Sequence, residues 1–205
     1  MKPNLKSWRN GVETLNASSG LNLNIALLHY PVTNKNGDLI ASAVTNLDLH
    51  DMARSARTYG VAGFYVVTPL EDQKALAAKL VDHWVTGRGA RYNPKRCEAL
   101  RLIHIRHDLE QVVADIERTV GKRPQTIVTC ARPQQGSVSY ASLRKELQDG
   151  TPGLLLFGTA WGLAPACMAA ADIILDPVQG AGAYNHLSVR AATAIILDRL
   201  CGEFD

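Results

Sequence analysis

Three stretches of the chain combine small residues with groups able to hold or move a proton: "TCARPQQG" at 129–136, "LLLFGTAWGL" at 154–163 and "DPVQGAGAYNHLSV" at 176–189. Glycine and alanine obstruct little, so a backbone built from them can lie against a flat ligand. Histidine titrates near neutral pH, which makes His186 a candidate base. It or Asn185 could equally cap the helix expected to follow. Arg54 carries a guanidinium that can fork onto a phosphate or oppose a developing negative charge, unless Asp48 or Asp51 claims it in an ion pair.

Gly180-x-Gly182 raises the question of a dinucleotide. That fingerprint needs a third glycine three residues after the second, then a further strand ending in an acid about 20 residues on. Asn185 stands at the third position, and the last expected helix runs almost to residue 205 with no strand after it. A nicotinamide or flavin site is therefore not expected, and a nucleotide-linked oxidoreductase stays as a rival that measurable NADH affinity would revive.

Two further stretches suit a polyanion. "RGARYNPKRCEALR", residues 88–101, sets Arg88, Arg91, Lys95, Arg96 and Arg101 around Tyr92 in an expected loop. Phosphate contacts around a stacking ring are what single-stranded RNA favours, and a solvated basic loop has the same composition. "HYPVTNKNGD" offers His29, Asn34, Lys35 and Asn36 after the first strand, in an order that also makes an ordinary turn.

Positioning these groups requires strands that end at them. Apolar runs read as buried strands at 24–29, 63–68, about 100–105, 126–130, 154–157 and 172–175. Between them, helical spacing marks a helix after Thr45-x-x-Asp48, one carrying Ala77, Val81 and Trp84, and one over Leu109, Val112, Val113, Ile116 and Val120. Helices are also expected at 140–147, from Leu163, and at 186–200. Strands alternating with helices predict an α/β fold, a mostly parallel sheet covered on both faces. In such sheets ligands bind beyond the carboxyl ends of the strands, where all three small-residue stretches fall.

The 205 residues suffice for one domain with a full core. No apolar run approaches the roughly 18 residues of a membrane span, and residues 1–22 read as a flexible polar arm without the features of a secretory signal. Cys97, Cys130, Cys167 and Cys201 include no close pair, so no metal site and a reducing, cytoplasmic setting are expected. The net charge of +3 alone says little about partners.

The C-terminal half resembles the SPOUT class of RNA methyltransferases, whose last segment is threaded into a trefoil knot that holds S-adenosylmethionine. The SpoU-type motif R-x-A-x-x-x-G-V fits Arg54, Ala56, Gly60 and Val61 without a gap, and the last SpoU motif keeps Pro177, Gly180, Ser188 and Val189 in register. A narrower resemblance, to a bacterial family of S-adenosylmethionine-dependent RNA methyltransferases with no assigned target, spans about 24–202. Three departures stand out: Gly158-Thr-Ala-Trp-Gly-Leu163 lacks the glutamate of the middle SpoU motif, and Asp48 and His186 stand where asparagines are usual.

The resemblance implies a domain over 23–205, knotted over about 126–205, that binds S-adenosylmethionine and methylates a nucleotide in tRNA or rRNA as a homodimer. It implies a cofactor crevice formed by Thr129, Cys130, Ala131, Gly158, Thr159, Gly162, Asp176, Val178, Gly180, Asn185 and Leu187. Arg54 would orient the nucleotide, and His186 or Asp48 would manage its proton. A knotted module that binds RNA or the cofactor without turnover is the alternative.

Overall fold

The computed structural model describes residues 21–203. Of the expected arm, residues 1–20 lie outside that range. Leu21 and Asn22 belong to the domain, because Leu21 is buried in the core and the Asn22 carbonyl accepts from the Gly153 amide.

The elements run β1 (Leu23–Leu28), β2 (Val32–Thr33), β3 (Leu39–Ile40), α1 (Asn46–Thr58), β4 (Gly63–Val67), α2 (Glu71–Val85), α3 (Arg88–Tyr92), α4 (Pro94–Leu100), β5 (Ile103–Arg106), α5 (Leu109–Val120), β6 (Gln125–Val128), α6 (Tyr140–Leu147), β7 (Gly153–Gly158), α7 (Pro165–Ala169), β8 (Ile173–Ile174) and α8 (Val189–Cys201). Six strands form one sheet in the order β5-β4-β1-β7-β6-β8, parallel at every pairing.

Why these strands are uniformly apolar follows from the layers on either side. Ile25, Leu27, Phe64, Val66, Leu155 and Phe157 point into one core, shared with Leu49, Met52, Leu143, Ile196 and Leu197 of α1, α6 and α8. Their alternates Ala26, Leu28, Tyr65, Val67, Leu154 and Leu156 meet Val112, Val113 and Ile116 of α5 on the opposite face. A strand covered twice has no polar side to show.

Caps fix the helices that matter for the site. The Thr45 hydroxyl accepts from the Asp48 amide at the start of α1, as the Thr-x-x-Asp spacing predicts. Ser188 does the same for α8 through the Ala191 amide, a contact worth about 1 kcal/mol.

Four expectations change. Residues 88–100 form α3 and α4 instead of a loop, because Asn93 caps α4 and Pro94 starts it. That takes Leu100 out of the next strand, and β5 begins at Ile103. The helix expected from Leu163 starts at Pro165. The last helix begins at Val189, not His186, because the Ser188 hydroxyl supplies its cap.

Candidate functional site

β7, β6 and β8 are neighbours in the sheet, so the loops leaving their carboxyl ends are neighbours as well. Hydrogen bonds tie those loops together. The Asn185 side-chain amide donates to the Ala131 carbonyl at 2.9 Å, joining the loop after β8 to the loop after β6. The Ser137 hydroxyl donates to the Asp176 carboxylate, and the Asp176 amide donates to the Val138 carbonyl at 2.9 Å. Thr129 donates its hydroxyl to the Leu156 carbonyl of β7 at 2.9 Å.

The glycines of these loops do different jobs. A Cβ on Gly158 would stand 2.7 Å from the Leu163 amide nitrogen, so this glycine lets its own loop fold back on itself. Gly162 has φ +110, in the left-handed region that favours glycine. Gly180 and Gly182 require neither: a Cβ on either would meet nothing within 4 Å, and neither has a positive φ. Their smallness serves no contact within the described chain, and it leaves the backbone open to a ligand.

Beneath the loop after β7 lies a chain of polar groups. The Thr159 hydroxyl donates to the Leu28 carbonyl at 3.1 Å and lies 2.5 Å from the Ser42 hydroxyl, which lies 3.0 Å from His29 Nδ1. Each hydroxyl has one proton. Thr159 uses its own on Leu28, so Ser42 donates to Thr159 and His29 Nδ1–H donates to Ser42. That assignment leaves His29 Nε2 as a buried acceptor without a hydrogen-bond partner among the described residues. Burial lowers the His29 pKa to about 4 against the opposing pull of the nearby Asp48 carboxylate, so the ring is neutral at pH 7.

Asp48 is already engaged. It is buried, accepts from the Thr45 hydroxyl at 2.6 Å, and pairs with Arg190 at 2.7 Å. Arg190 also reaches Asp51 at 3.5 Å. The acids expected as partners of Arg54 therefore serve Arg190, which pins the start of α8 to α1. Arg54 is exposed on α1, with no ion pair among the described residues. His186 is exposed, in edge-on contact with Tyr184 at 6.4 Å. Leu187 is exposed too, while Cys130 accepts from the Arg132 amide.

The basic stretch at 88–101 stands apart from these loops. It packs through α4 on α1 and α2 and leads into β5, the edge strand opposite β8. Tyr92 is 86% exposed, while Arg96 stacks on Trp84 at 4.6 Å and Lys95 lies 3.4 Å from Glu98. In "HYPVTNKNGD" the turn reading holds for its tip: Asn34 Oδ1 accepts from the amides of Asn36 and Asp38 between β2 and β3. His29, by contrast, belongs to the buried network. A surface groove bordered by Leu21, Tyr59, Leu200 and Glu203 lies beside the residue that leads into β1, away from the loops.

Residues 22–202 match a family model described as SAM-dependent RNA methyltransferase. The chain belongs to this family. Within the described residues no group of three or more His, Cys, Asp or Glu could hold a metal ion.

A tRNA (guanine-N(1)-)-methyltransferase of Oleidesulfovibrio alaskensis is 47% identical over 184 residues, which are 90% of this chain and 43% of that protein. A protein of Nitratidesulfovibrio vulgaris with the same name is 48% identical over 184 residues, again 43% of its length. The chain thus spans less than half the length of these two relatives. An uncharacterized protein of Aquifex aeolicus is 43% identical over 180 residues, 87% of this chain and 88% of its own.

Among solved structures, a methylase family protein of Neisseria gonorrhoeae superposes with a TM-score of 0.60 at 17% identity, over 98% of this chain and 85% of that one. The SpoU methyltransferase AviRb from Streptomyces viridochromogenes, solved with AdoMet, does so with a TM-score of 0.53 at 16% identity, over 88% of this chain and 57% of that one. At these identities the likeness shows the fold, which is that of the SpoU methyltransferases.

Sequence reasoning missed Ser42 and Arg190 as parts of the site. Ser42 lies in a segment without periodicity or motif. Arg190 is one of the few charges in an otherwise apolar helix, and nothing local to it points to Asp48.

Proposed function

We propose that this chain transfers a methyl group from S-adenosylmethionine to a nucleotide of tRNA or rRNA. The observation that carries the reading is the open backbone at Gly180 and Gly182, set where the loops after β6, β7 and β8 converge. S-adenosylmethionine would supply a methyl group made electrophilic by its sulfonium. Backbone groups of Asp176, Val178, Asn185 and Leu187 would hold it on one side, with Thr129, Cys130 and Ala131 on another. Gly158, Thr159 and Gly162 would form the remaining wall, held from beneath by Ser42.

Arg54, exposed and without a carboxylate partner among the described residues, would grip the nucleotide. His186, exposed beside the crevice, would take its proton. Asp48 acts differently in this reading: its pair with Arg190 makes it a positioning residue that sets the loop leading into α8. The segment 176–188 runs past Ala131 and Val138 to α8, and we read it as threaded through the loop after β6, giving the trefoil knot.

Ala191, Ala192, Ala194 and Ile195 of α8 are only half covered, which supports a homodimer packing these helices and bringing Arg54 to the partner's crevice. Four free cysteines suit a cytoplasmic setting.

Calorimetric titration with S-adenosylmethionine and S-adenosylhomocysteine, with NADH as control, tests the cofactor. Tritiated methyl donor with bulk tRNA and rRNA then tests the transfer. Arg54→Ala is expected to keep cofactor affinity and lose RNA methylation, and equal loss of both would remove its role. Cofactor binding without transfer to any RNA would mark a binding module.

A further inference from the structure

Trp161 is 65% exposed and has no ring or hydrogen-bonding partner for its side chain among the described residues. Single exposed apolar residues are ordinary, but this one stands on a backbone that is held in place and strained. Ala160 before it has φ 52, the one non-glycine positive φ among the described residues, and Gly162 after it has φ +110. A non-glycine residue in that region costs about 1–2 kcal/mol, and such strain gathers at functional sites.

Hydrogen bonds clamp both sides of the ring. The Trp161 amide donates to the Thr33 carbonyl at 3.1 Å, the Thr33 amide to Gly162 at 3.0 Å, and the Gly162 amide to Thr159 at 2.9 Å. Thr159 is in turn fixed by Ser42 and Leu28. A stiff backbone therefore presents a large flat apolar face to solvent, three residues beyond the end of β7.

We propose that Trp161 is the stacking platform for an unpaired base of the RNA substrate at the mouth of the cofactor crevice; this rests on the methyltransferase reading above. Stacking on an aromatic face tolerates any base, and phosphate contacts complete such sites. The neighbouring elements carry suitable groups. Lys35 is exposed at the tip of the β2–β3 hairpin that clamps the ring, and Arg132 is exposed on the loop after β6. Tyr184, 80% exposed, offers a second ring on the loop after β8.

The test is intrinsic fluorescence with unfractionated tRNA and a single-stranded oligouridylate as probes, on the wild type, Trp161→Phe and Trp161→Ala. RNA should quench the wild-type emission, and the quench should vanish in W161F. W161A should weaken tRNA affinity about 5- to 150-fold, the range that corresponds to one stacked base. W161F should lose less than W161A, because phenylalanine keeps a stacking face.

S-adenosylhomocysteine affinity should change by less than about twofold in both variants, and the melting temperature should stay put, because an exposed side chain supports little packing. Unchanged emission with both RNAs overturns the proposal. So does parallel loss of S-adenosylhomocysteine in W161A, which would make the ring a wall of the cofactor crevice, or an emission that follows protein dilution alone, which would make it a contact between copies. Wild-type protein that binds no S-adenosylhomocysteine refutes the cofactor reading alone, and an RNA-dependent quench that W161F abolishes would still support the stacking role.

Discussion

Acidification should destabilise this protein through His29. The ring is fully buried, its Nδ1–H is committed to Ser42, and its Nε2 has no hydrogen-bond partner among the described residues. Protonating the ring would place a charge in the interior, where the desolvation cost outweighs the pull of the Asp48 carboxylate and the Ala43 backbone. The pKa of about 4 lies below the ordinary 6.5, so between those values the unfolded chain binds a proton that the folded chain refuses. Stability from this residue is complete above pH 6.5, falls as the pH drops toward 4, and levels off below. At about 1.4 kcal/mol per pH unit, the full loss is about 3 kcal/mol, of which about 2 kcal/mol is gone by pH 5.

Urea unfolding of the wild type and His29→Gln at pH 8, 7, 6 and 5 reads this directly. The variant is expected to be less stable at pH 8, since it disturbs the bond to Ser42. The informative quantity is the difference between the two proteins, which should shrink by about 2 kcal/mol from pH 7 to pH 5. Parallel pH profiles would refute the reasoning. If His29→Gln does not fold, NMR titration of the wild-type imidazole serves instead, and a midpoint near 6.5 would refute it equally.

Two further perturbations follow from the same geometry. Gly158→Ala drives a Cβ against the Leu163 backbone, so it should cost about 1–3 kcal/mol in thermal unfolding and weaken cofactor binding. Gly180→Val meets open space and should leave the melting temperature unchanged while blocking S-adenosylhomocysteine in calorimetry; unchanged affinity would take that loop out of the site. Asp48→Asn removes the charge that pairs with Arg190, whose side chain is a third exposed. The expected cost is about 1–3 kcal/mol by denaturant unfolding, and a double-mutant cycle with Arg190→Ala should show coupling between the two, where simple additivity would deny the pair any role.

Where periodicity or a local cap dictates structure, the sequence alone determined it. Continuous apolar runs fixed the doubly covered strands, because burial on both faces removes any reason for alternation. Thr45 and Asp48 fixed the start of α1 through contacts three residues apart, and the motif residues Arg54, Gly60, Gly180 and Ser188 pointed to the family.

Other features depend on partners that lie far away in sequence. Ser42 and Thr159 are 117 residues apart, and Asp48 and Arg190 are 142 apart. No local pattern announces either pair. Only the folded chain commits Asp48 to an ion pair, buries His29 as a neutral donor, separates the basic stretch at 88–101 from the crevice, and distinguishes Gly158, needed by its own loop, from Gly180, which faces open space. The physical reason is range: periodicity and caps act within a few residues, whereas burial and pairing are set by whichever segment the sheet order brings alongside.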